Sequence, residues 1–533
     1  MMLIRALILT GPLLFAAWLP GCRSEPRSRA WEAGKSAPAP VDAARGASVR
    51  RALDVRVDAS SAAGDGARRR VYATLASALA AHPGEALSVT LAGGTHRGPF
   101  TLADGSRLEG VGPTVILGPA TGAALVAQGA LSLRGLALRG GTQAVQTRGH
   151  LRLERVDLVG QTAGCLRLDD GAELDAREVR FSTEVPSATC LELAGSSRAT
   201  IRDSSLEGPW GRAIGLTEQA SLSAERVRIR GSEVGVRQRG GRVVLTEVSI
   251  EAGTGPGGRA NDADGVGPGG GGGPAVFVAH GALELRGLRT RGHEYGLLTG
   301  SNAVVRGRSV RSVGARRAGL GLVGSDVVLR DVRVEGVLQG GSFGGIQSVN
   351  ATTELDDVQV RDVHGVGLSQ RSGSLTLSRA TIRGVRAAPD GSEGEGLSLR
   401  AGRAMLSDVT ISRTGGVGMV VGESAEVLGR QLSVQGAASC GVAVETLGRL
   451  DLEDLSVRGS RGPGLLAEGD VRIRISALVS EENRDGPVLA DCDGGAQLRL
   501  GTITGQAPMP QDCIERSRPV QRAGPDAADH PSP

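Results

Sequence analysis

One eight-residue phrase recurs sixteen times between Leu131 and the residues after Leu498, and it constrains the fold more than any other feature. Apolar residues stand at offsets zero, two, five and seven, as in Leu131, Leu133, Leu136 and Leu138. Apolar residues two positions apart are typical of a half-buried strand. Each phrase therefore predicts two short strands joined by a two-residue corner. Repeat starts lie 20 to 29 residues apart except once.

A third strand follows a variable loop in each repeat and reads small, apolar, variable, apolar. Clear copies are residues 165–168, 235–238, 396–399 and 441–444. Three strands in about 23 residues form one coil of a parallel β-helix, whose coils must stack because a single coil cannot bury its own apolar face. The 83 glycines and the 2% aromatic content suit tight corners around an aliphatic interior.

The segment before the repeats contains Leu75 and Leu79, four residues apart, and predicts a short helix within residues 71–81. The passage "VYATLASALAAHPGEALSVTLAGG" and the residues after it resemble the entrance of right-handed parallel β-helix proteins of the pectin-lyase-like superfamily. The resemblance covers residues 71–506. It implies an all-β, right-handed, single-stranded parallel β-helix of about 18 coils, with a short N-terminal helix capping the first coil.

The N-terminal residues resemble a bacterial lipoprotein signal. Arg5 precedes an apolar run over residues 6–19, and Leu19-Pro20-Gly21 leads to Cys22. The resemblance implies removal of residues 1–21, lipid on Cys22, export, and a lipid-anchored position in the cell envelope at the outer membrane. The alternative is a short transmembrane anchor, but fourteen apolar residues are fewer than a spanning helix needs.

Composition sets the remaining boundaries. Residues 22–70 are rich in Ala, Ser, Arg and Pro without a sustained apolar period, and they predict a disordered tether. Residues 71–506 are predicted to form the β-helix. Residues 507–533 lose all periodicity and predict a loose tail.

Five cysteines remain after Cys22. Cys165 and Cys190 occupy the same slot of consecutive coils, within the distance that a disulfide can bridge, although a cysteine can also fill this slot for its size alone. Cys492 and Cys513 can pin the tail to the last coils. No cysteine or histidine spacing resembles a zinc site, so we expect neither a metal nor a cofactor.

The charge pattern argues against a nucleic-acid partner. The net charge is only +4, and Lys35 is the sole lysine. Arginines are scattered over corners and outward strand positions instead of forming a basic block, and stacking aromatics are few. The sequence therefore predicts a solvated surface and no nucleic-acid groove.

The resemblance also implies where chemistry would lie, because enzymes of this superfamily cleave acidic polysaccharides in a groove beside one sheet. Hydrolases there use clustered aspartates, and lyases use calcium-binding acidic residues with an arginine base. The outward position of the third strand, which we call the ladder, contains one carboxylate, Glu192. The ladder runs Gln146, Arg167, Glu192, Gly215, Arg237, Phe277, Leu298, Gly321, Gln347, Ser369, Ser398, Val420, Ala443, Leu466 and Leu489.

Two sets of residues on this face are candidates for function. Arg167, Glu192 and Arg237 are the catalytic candidates, and Trp210 with Arg212 offers a ring and a charge for binding a sugar or peptide. The alternative is an exposed, salt-bridged surface of the kind common on solenoids. A separate acidic series, assigned to strand corners and not to metal, comprises Glu178, Asp203, Glu247, Asp331, Asp357, Asp408 and Asp454.

Two functional hypotheses follow from these patterns. The favoured one is a non-catalytic, monomeric cell-envelope lipoprotein that presents a rigid surface to a cell-surface polysaccharide or an envelope protein. The competing one is a polysaccharide lyase or glycoside hydrolase acting on an acidic glycan. Only eight aromatic residues follow Cys22, and sugar subsites usually contain ring platforms, so the sequence favours binding over catalysis while leaving enzymatic activity open.

Overall fold

The computed structural model describes residues 52–58, 70–253, 272–338, 344–388, 391, 394–506 and 513–516, all within one compact unit. The predicted signal segment, residues 1–21, and Cys22 lie outside the described residues, as do most of the predicted tether and tail. In the described part of the chain, no helix is long and apolar enough to cross a membrane.

The strands stack into three parallel sheets, and the chain visits them in turn. We name them sheets A, B and C after the first, second and third strand of each coil. One coil consists of β7 (Leu131–Arg134) in sheet A, β8 (Ala137–Arg139) in sheet B and β9 (Gln143–Thr147) in sheet C. Parallel pairing between successive coils continues through about 17 turns, which confirms the predicted parallel β-helix.

Most strands before β18 are short, and many later strands run through a corner without interruption. The other N-terminal strands are β1 (Leu53–Val57), β2 (Val71–Tyr72), β3 (Leu87–Arg97), β4 (Phe100–Leu102), β5 (Ser106–Leu117), β6 (Ala123–Ala127), β10 (His150–Glu154), β11 (Asp157–Val159), β12 (Leu166–Leu168), β13 (Glu173–Arg177), β14 (Arg180–Ser182), β15 (Ser187–Leu193), β16 (Arg198–Arg202) and β17 (Ser205–Glu207). The later strands are β18 (Trp210–Glu225), β19 (Arg228–Arg230), β20 (Val234–Glu251), β21 (Val276–Arg291), β22 (Tyr295–Thr299), β23 (Ala303–Val313), β24 (Ala318–Val323), β25 (Asp326–Glu335), β26 (Gly344–Arg361), β27 (Val366–Val385), β28 (Leu397–Arg400), β29 (Arg403–Thr414), β30 (Met419–Gly422), β31 (Glu426–Ala437), β32 (Val442–Glu445), β33 (Arg449–Arg458), β34 (Leu465–Glu468), β35 (Arg472–Glu481), β36 (Val488–Ala490), β37 (Gln497–Gly505) and β38 (Ile514–Arg516).

The apolar offsets of the phrase form the core. Leu131, Leu133, Leu136 and Leu138 are all buried, and most of the same offsets in the following coils are filled by buried aliphatic residues, with an occasional Ser, Thr, Gly or Phe. Since side chains alternate along a strand, each strand needs only two inward residues to contribute to this core. The predicted interior is therefore confirmed.

The corner between sheets A and B depends on one left-handed residue. Glu178 has φ 54°, Asp203 has φ 51° and Asp331 has φ 52°. The left-handed region lets the chain turn between two strands within two residues. Six of the seven members of the acidic series, all except Asp454, have φ between 51° and 55° and therefore serve the corners. Among the described residues, no group of three or more His, Cys, Asp or Glu is arranged to hold a metal ion.

The N-terminal end carries the expected cap. Helix α1 (Leu75–Ala81) begins after Thr74, whose side chain accepts a hydrogen bond from the Ser77 backbone in a capping box. Leu75 is buried against the core. The predicted start of the β-helix at residue 71 is wrong, because β1 pairs in parallel with β3 and lies inside the predicted tether. Its alternation was hidden in an Ala- and Arg-rich segment too short to stand out.

The C-terminal end also differs from a loose tail. Strand β38 pairs in parallel with β37, and Cys492 forms a disulfide with Cys513 immediately before β38. The described residues of the tail, 513–516, therefore add a further strand to sheet A. A three-residue strand carries no periodicity that the sequence alone could reveal.

The two other candidate cysteines do not form a disulfide. Cys165 and Cys190 are both free and buried, and the Cys165 amide donates to the Cys190 carbonyl at 2.8 Å. In-register residues of parallel strands have parallel Cα–Cβ bonds about 4.8 Å apart, whereas a disulfide needs Cβ atoms about 3.8 Å apart. The predicted bridge is therefore wrong, and the alternative that cysteine fits the slot by size accounts for the structure.

Candidate functional site on sheet C

The register of sheet C reproduces the predicted ladder. Arg167 pairs with Glu192, Glu192 with Gly215, and Gly215 with Arg237. Arg167 and Glu192 are thus direct neighbours, while Arg237 lies two coils from Glu192, about 9 to 10 Å along the stack. The three catalytic candidates share one face but do not surround one point.

Each candidate has its own surroundings. The Arg167 Nε atom lies 2.9 Å from Asp169 Oδ1, and a hydrogen bond to Asp169, supported by Glu192, raises the Arg167 pKa. Arg237 is buried, with its guanidinium carbon 5.9 Å from the centre of the Phe277 ring. Glu192 therefore has no second carboxylate as its neighbour on the ladder. Among the described residues, the three candidates thus form a mixed-charge surface in which the ladder supplies no acid and base pair.

The predicted binding pair is not available. Trp210 is fully buried, and its indole N–H has no partner within the described residues. Strand β18 begins at Trp210, four residues before the inward-facing Ile214, so the period of two turns Trp210 toward the interior. Arg212 remains partly exposed. The prediction that Trp210 presents a stacking surface is therefore wrong.

The residues around Tyr295 form a buried support and not an open site. The Arg317 guanidinium carbon lies 5.9 Å from the Tyr295 ring, and Tyr295 is buried. His293 Nδ1 lies 3.2 Å from the Glu233 carbonyl oxygen and 3.3 Å from that of Gly273. Burial lowers the His293 pKa to about 4, so the imidazole is neutral near pH 7.

A set of charged side chains outside the ladder lies in later coils of sheet C. Arg371 pairs in register with Arg400, Arg400 with Gly422, and Glu445 with Glu468. These positions lie two residues beyond the ladder and therefore point outward again. With Glu395 and Glu423 they form what we call the Arg400 cluster: Arg371, Glu395, Arg400, Glu423, Glu445 and Glu468.

Arg400 is the centre of this group. Its Nη2 atom lies 3.3 Å from Glu395 Oε1 and 3.8 Å from Glu445 Oε1, and its Nη1 atom lies 3.5 Å from Glu423 Oε1. The Arg400 side chain also donates from Nε to Ser398 Oγ at 3.3 Å. Because Glu395 and Glu445 contact the same nitrogen, their Oε1 atoms lie no more than about 7 Å apart. This upper limit overlaps the separations of about 5 to 9.5 Å between the paired carboxyl groups of glycosidases.

The pKa values of Glu445 and Arg400 are both raised, but for different reasons. Burial raises the pKa of Glu445, and the negative charges of Glu395, Glu468 and Glu423 add to the effect against the attraction of Arg400. Burial disfavours the charge on Arg400, but the surrounding carboxylates outweigh it and raise the Arg400 pKa. The cluster thus contains a carboxyl group that holds its proton more strongly than an ordinary glutamate.

The ladder residues beside the cluster are small and covered. Ser398, Val420 and Ala443 occupy outward positions yet are 4%, 2% and 7% exposed. Neighbouring side chains therefore cover this row, and the accessible surface here belongs to the cluster: the side chains of Arg400, Glu423 and Glu445 are all partly exposed.

The sequence analysis missed the Arg400 cluster because it considered only the ladder positions. A second row of charged residues stands at the next outward position, two residues after the ladder. It contains Arg371, Arg400, Glu445 and Glu468. Glu395 and Glu423 stand outside that column, so their approach to Arg400 depends on the folding of the loop and corner. The charge of the four carboxylates is only partly compensated by the two guanidinium groups, and among the described residues the cluster shows no metal-binding arrangement.

Comparison with known proteins finds only distant similarity. No protein-family model matches the sequence, and no curated protein matches it. Among solved structures, a single-residue mutant of the periplasmic alginate epimerase AlgG is 11% identical, with 67% of this chain and 77% of that chain covered and a TM-score of 0.28. The catalytic unit of a GH87 α-1,3-glucanase from Streptomyces thermodiastaticus is 13% identical over 83% and 65% of the two chains, with a TM-score of 0.22. At these identities and TM-scores, the similarity assigns no activity to this chain.

Proposed function

We propose that sheet C binds a polysaccharide and that the Arg400 cluster hydrolyses a glycosidic bond in it. The observation that carries this proposal is the placement of Glu395 and Glu445 on one guanidinium nitrogen, at 3.3 and 3.8 Å. Glycosidases need two carboxyl groups within several ångströms, one to donate a proton and one to activate water or stabilise positive charge. The four glutamates outnumber the two arginines, which favours a neutral glycan over an acidic one at this point.

The roles follow from the surroundings of each group. Glu445 retains its proton to a higher pH than an exposed glutamate and donates it to the leaving glycosidic oxygen. Glu395, held by Arg400, acts as the base that takes a proton from the attacking water. Water adds to the anomeric carbon as the carbon–oxygen bond to the leaving sugar breaks. Arg400 positions both carboxylates.

A second candidate function is non-catalytic binding, the interpretation that the sequence favoured. The observation behind it is that Arg400 contacts three carboxylates at once, as structural ion-pair networks also do. On this reading the chain is an exported lipoprotein, held in the envelope through Cys22, that presents sheet C to a polysaccharide without cleaving it.

A depolymerisation and binding screen separates the two functions. We would incubate the full chain with soluble neutral and acidic polysaccharides and measure new reducing ends alongside binding. The hydrolase proposal expects cleavage that falls at least about a hundredfold in Glu445→Gln and Glu395→Gln, the usual scale for losing a general acid or base. Glu426→Gln is the matched control, because Glu426 pairs with Arg403 on sheet A. Binding without cleavage by the wild type would establish the non-catalytic function.

A further inference from the structure

Positive charge is concentrated in one stretch of the β-helix. Residues 282–335 contain ten arginines against five acidic residues, although the whole chain has a net charge of only +4. The arginines there are Arg286, Arg289, Arg291, Arg306, Arg308, Arg311, Arg316, Arg317, Arg330 and Arg333. The net positive charge of this stretch is therefore larger than the net charge of the complete chain.

Six of these arginines stack into two columns on the outside of the coils. In sheet A, Arg286 pairs in register with Arg308, and Arg308 with Arg330. In sheet B, the column is Arg289, Arg311 and Arg333. All six are exposed, and we call them the arginine array. Successive members of a column have backbones about 4.8 Å apart, the spacing of strands in a sheet.

The acidic residues nearby compensate only part of this charge. Arg311 lies 3.2 Å from Glu335, Arg333 lies 3.2 Å from Asp331, and Arg286 contacts Glu284. Within the described ranges, the side chains of Arg289 and Arg308 form no ion pair or hydrogen bond. Holding like charges in register costs free energy, and that cost is recovered when an anion binds between them.

A depression in sheet A adjoins the array. It has a volume of about 490 Å³ and is lined by Arg242, Arg286, Arg308 and Arg330 together with Val304 and Val328. Gly307 is also part of the lining, and a Cβ atom there would come within 2.6 Å of the Leu285 Cβ atom. The strand can sink toward the core here because Gly307 has no side chain.

We propose that the arginine array and the adjoining depression bind a linear anionic polysaccharide that runs along the coil axis. Hexose units in extended chains repeat at about the same interval as the coils, so a chain with one carboxylate or sulfate per unit can meet one arginine per coil. The exposed face of Val304 suits the apolar face of a sugar ring. Since no aromatic ring lines the depression, it lacks the stacking platform of a single-stranded nucleic-acid site.

The proposal does not depend on the Arg400 cluster, whose excess of carboxylates would repel an acidic chain. The two surfaces therefore have different ligands. The Arg400 cluster on sheet C cleaves a neutral glycan, and the arginine array binds an anionic polysaccharide without cleaving it. Binding to the array would hold the protein on an acidic polymer while sheet C acts on a second glycan. Glu445→Gln should therefore bind the anionic chain as the wild type does.

The test measures binding of the full chain to polygalacturonate, with neutral dextran and vesicles containing phosphatidylglycerol as the other probes. Arg308→Gln/Arg330→Gln should weaken polygalacturonate binding at least about tenfold at low salt and reduce its dependence on ionic strength. The matched control Arg198→Gln/Arg228→Gln removes the same charge from exposed positions in other coils and should change binding less than twofold. Thermal melting of each variant establishes that it is folded.

One further variant tests the sign of the effect. Glu284 contacts Arg242 and Arg286 and competes with an incoming anion, so Glu284→Gln should tighten binding several-fold. The proposal is overturned if the array and control variants weaken binding equally, because the effect would then reflect net charge alone. It is also overturned if the wild type binds the vesicles but not polygalacturonate.

Discussion

A single left-handed residue makes most of the corners between sheets A and B. Gln431 has φ 55°, is exposed, and has no side-chain partner within the described residues. The left-handed region is higher in free energy for other residues than for glycine. Gln431→Gly should therefore stabilise the fold by about 0.5–1 kcal/mol. Ser433→Gly, two residues later in the same strand, should instead destabilise by about 1 kcal/mol. Urea unfolding of both variants measures the difference, and equal effects would contradict the argument.

The raised pKa of Glu445 makes stability depend on pH. The folded state holds the Glu445 proton to a higher pH than the unfolded state, so stability falls as pH rises from the ordinary glutamate value of 4.5 through the raised value. Glu445→Gln should therefore be at least as stable as the wild type at pH 7, and its advantage should shrink as the pH falls toward 4.5. Denaturant midpoints between pH 4.5 and 7 provide the measurement. A variant less stable than the wild type at pH 7 would show that the ion pair with Arg400 outweighs burial.

At the scale of single residues, the sequence predicts which strand residues lie in register. It does not predict which loop residues contact them. The ladder was predicted residue by residue, because a strand period of two and a constant phrase determine which side chains point outward. Glu395 lies just outside its strand and Glu423 at a turn with φ 52°, so no periodic pattern reports that both reach Arg400. Trp210 failed for a related reason, since its strand begins earlier than the pattern indicated.

Among the described elements, the capping helix α1 is the only helix. Helix α1 has seven residues, and the Thr74 and Ser77 capping box supplies partners for amides at its start. Thr74→Ala should cost about 1 kcal/mol of local stability, and Leu75→Ala should cost about 2–5 kcal/mol because Leu75 is buried. Hydrogen exchange should increase in α1 and β1 while the coils after residue 150 stay unchanged. A uniform loss of protection would show that the helix supports the entire stack.

Element boundaries were the least predictable part of the fold. The repeated phrase identified sheets A, B and C over residues 131–506 because sixteen copies reinforce one another. Strands β1 and β38 occur once each, at the two ends of the stack, and one copy cannot be distinguished from an accidental alternation. Sheet pairing, supplied by β3 and β37, is what makes these segments strands.

For the whole molecule, attachment is a separate question from the fold. From the resemblance of the N-terminal residues to a lipoprotein signal we propose that Cys22 carries lipid, so Cys22→Ala should move the protein from the membrane fraction to the soluble exported fraction. Ser24→Ala is the matched control and should leave fractionation unchanged. Immunoblots of separated fractions provide the measurement, and membrane retention of Cys22→Ala would point to an uncleaved anchor.

The two ends of the stack are closed by different means, one by a short helix and the other by the Cys492–Cys513 disulfide. Closing this 21-residue separation should stabilise the last coils by about 3 kcal/mol. Cys492→Ser/Cys513→Ser should therefore increase hydrogen exchange in residues 497–505, whereas Cys440→Ser should not. Exchange unchanged by the double substitution would contradict this expectation.

Because the strands of each coil pair only with those of the coils before and after it, an end coil has half the sheet pairing of an inner coil, and loss of structure should begin most readily at an end. With the C-terminal end cross-linked, the β-helix should come apart in one direction, coil by coil from α1. A pulling force applied at the N-terminus would then meet a series of similar, separately yielding units in place of a single rupture.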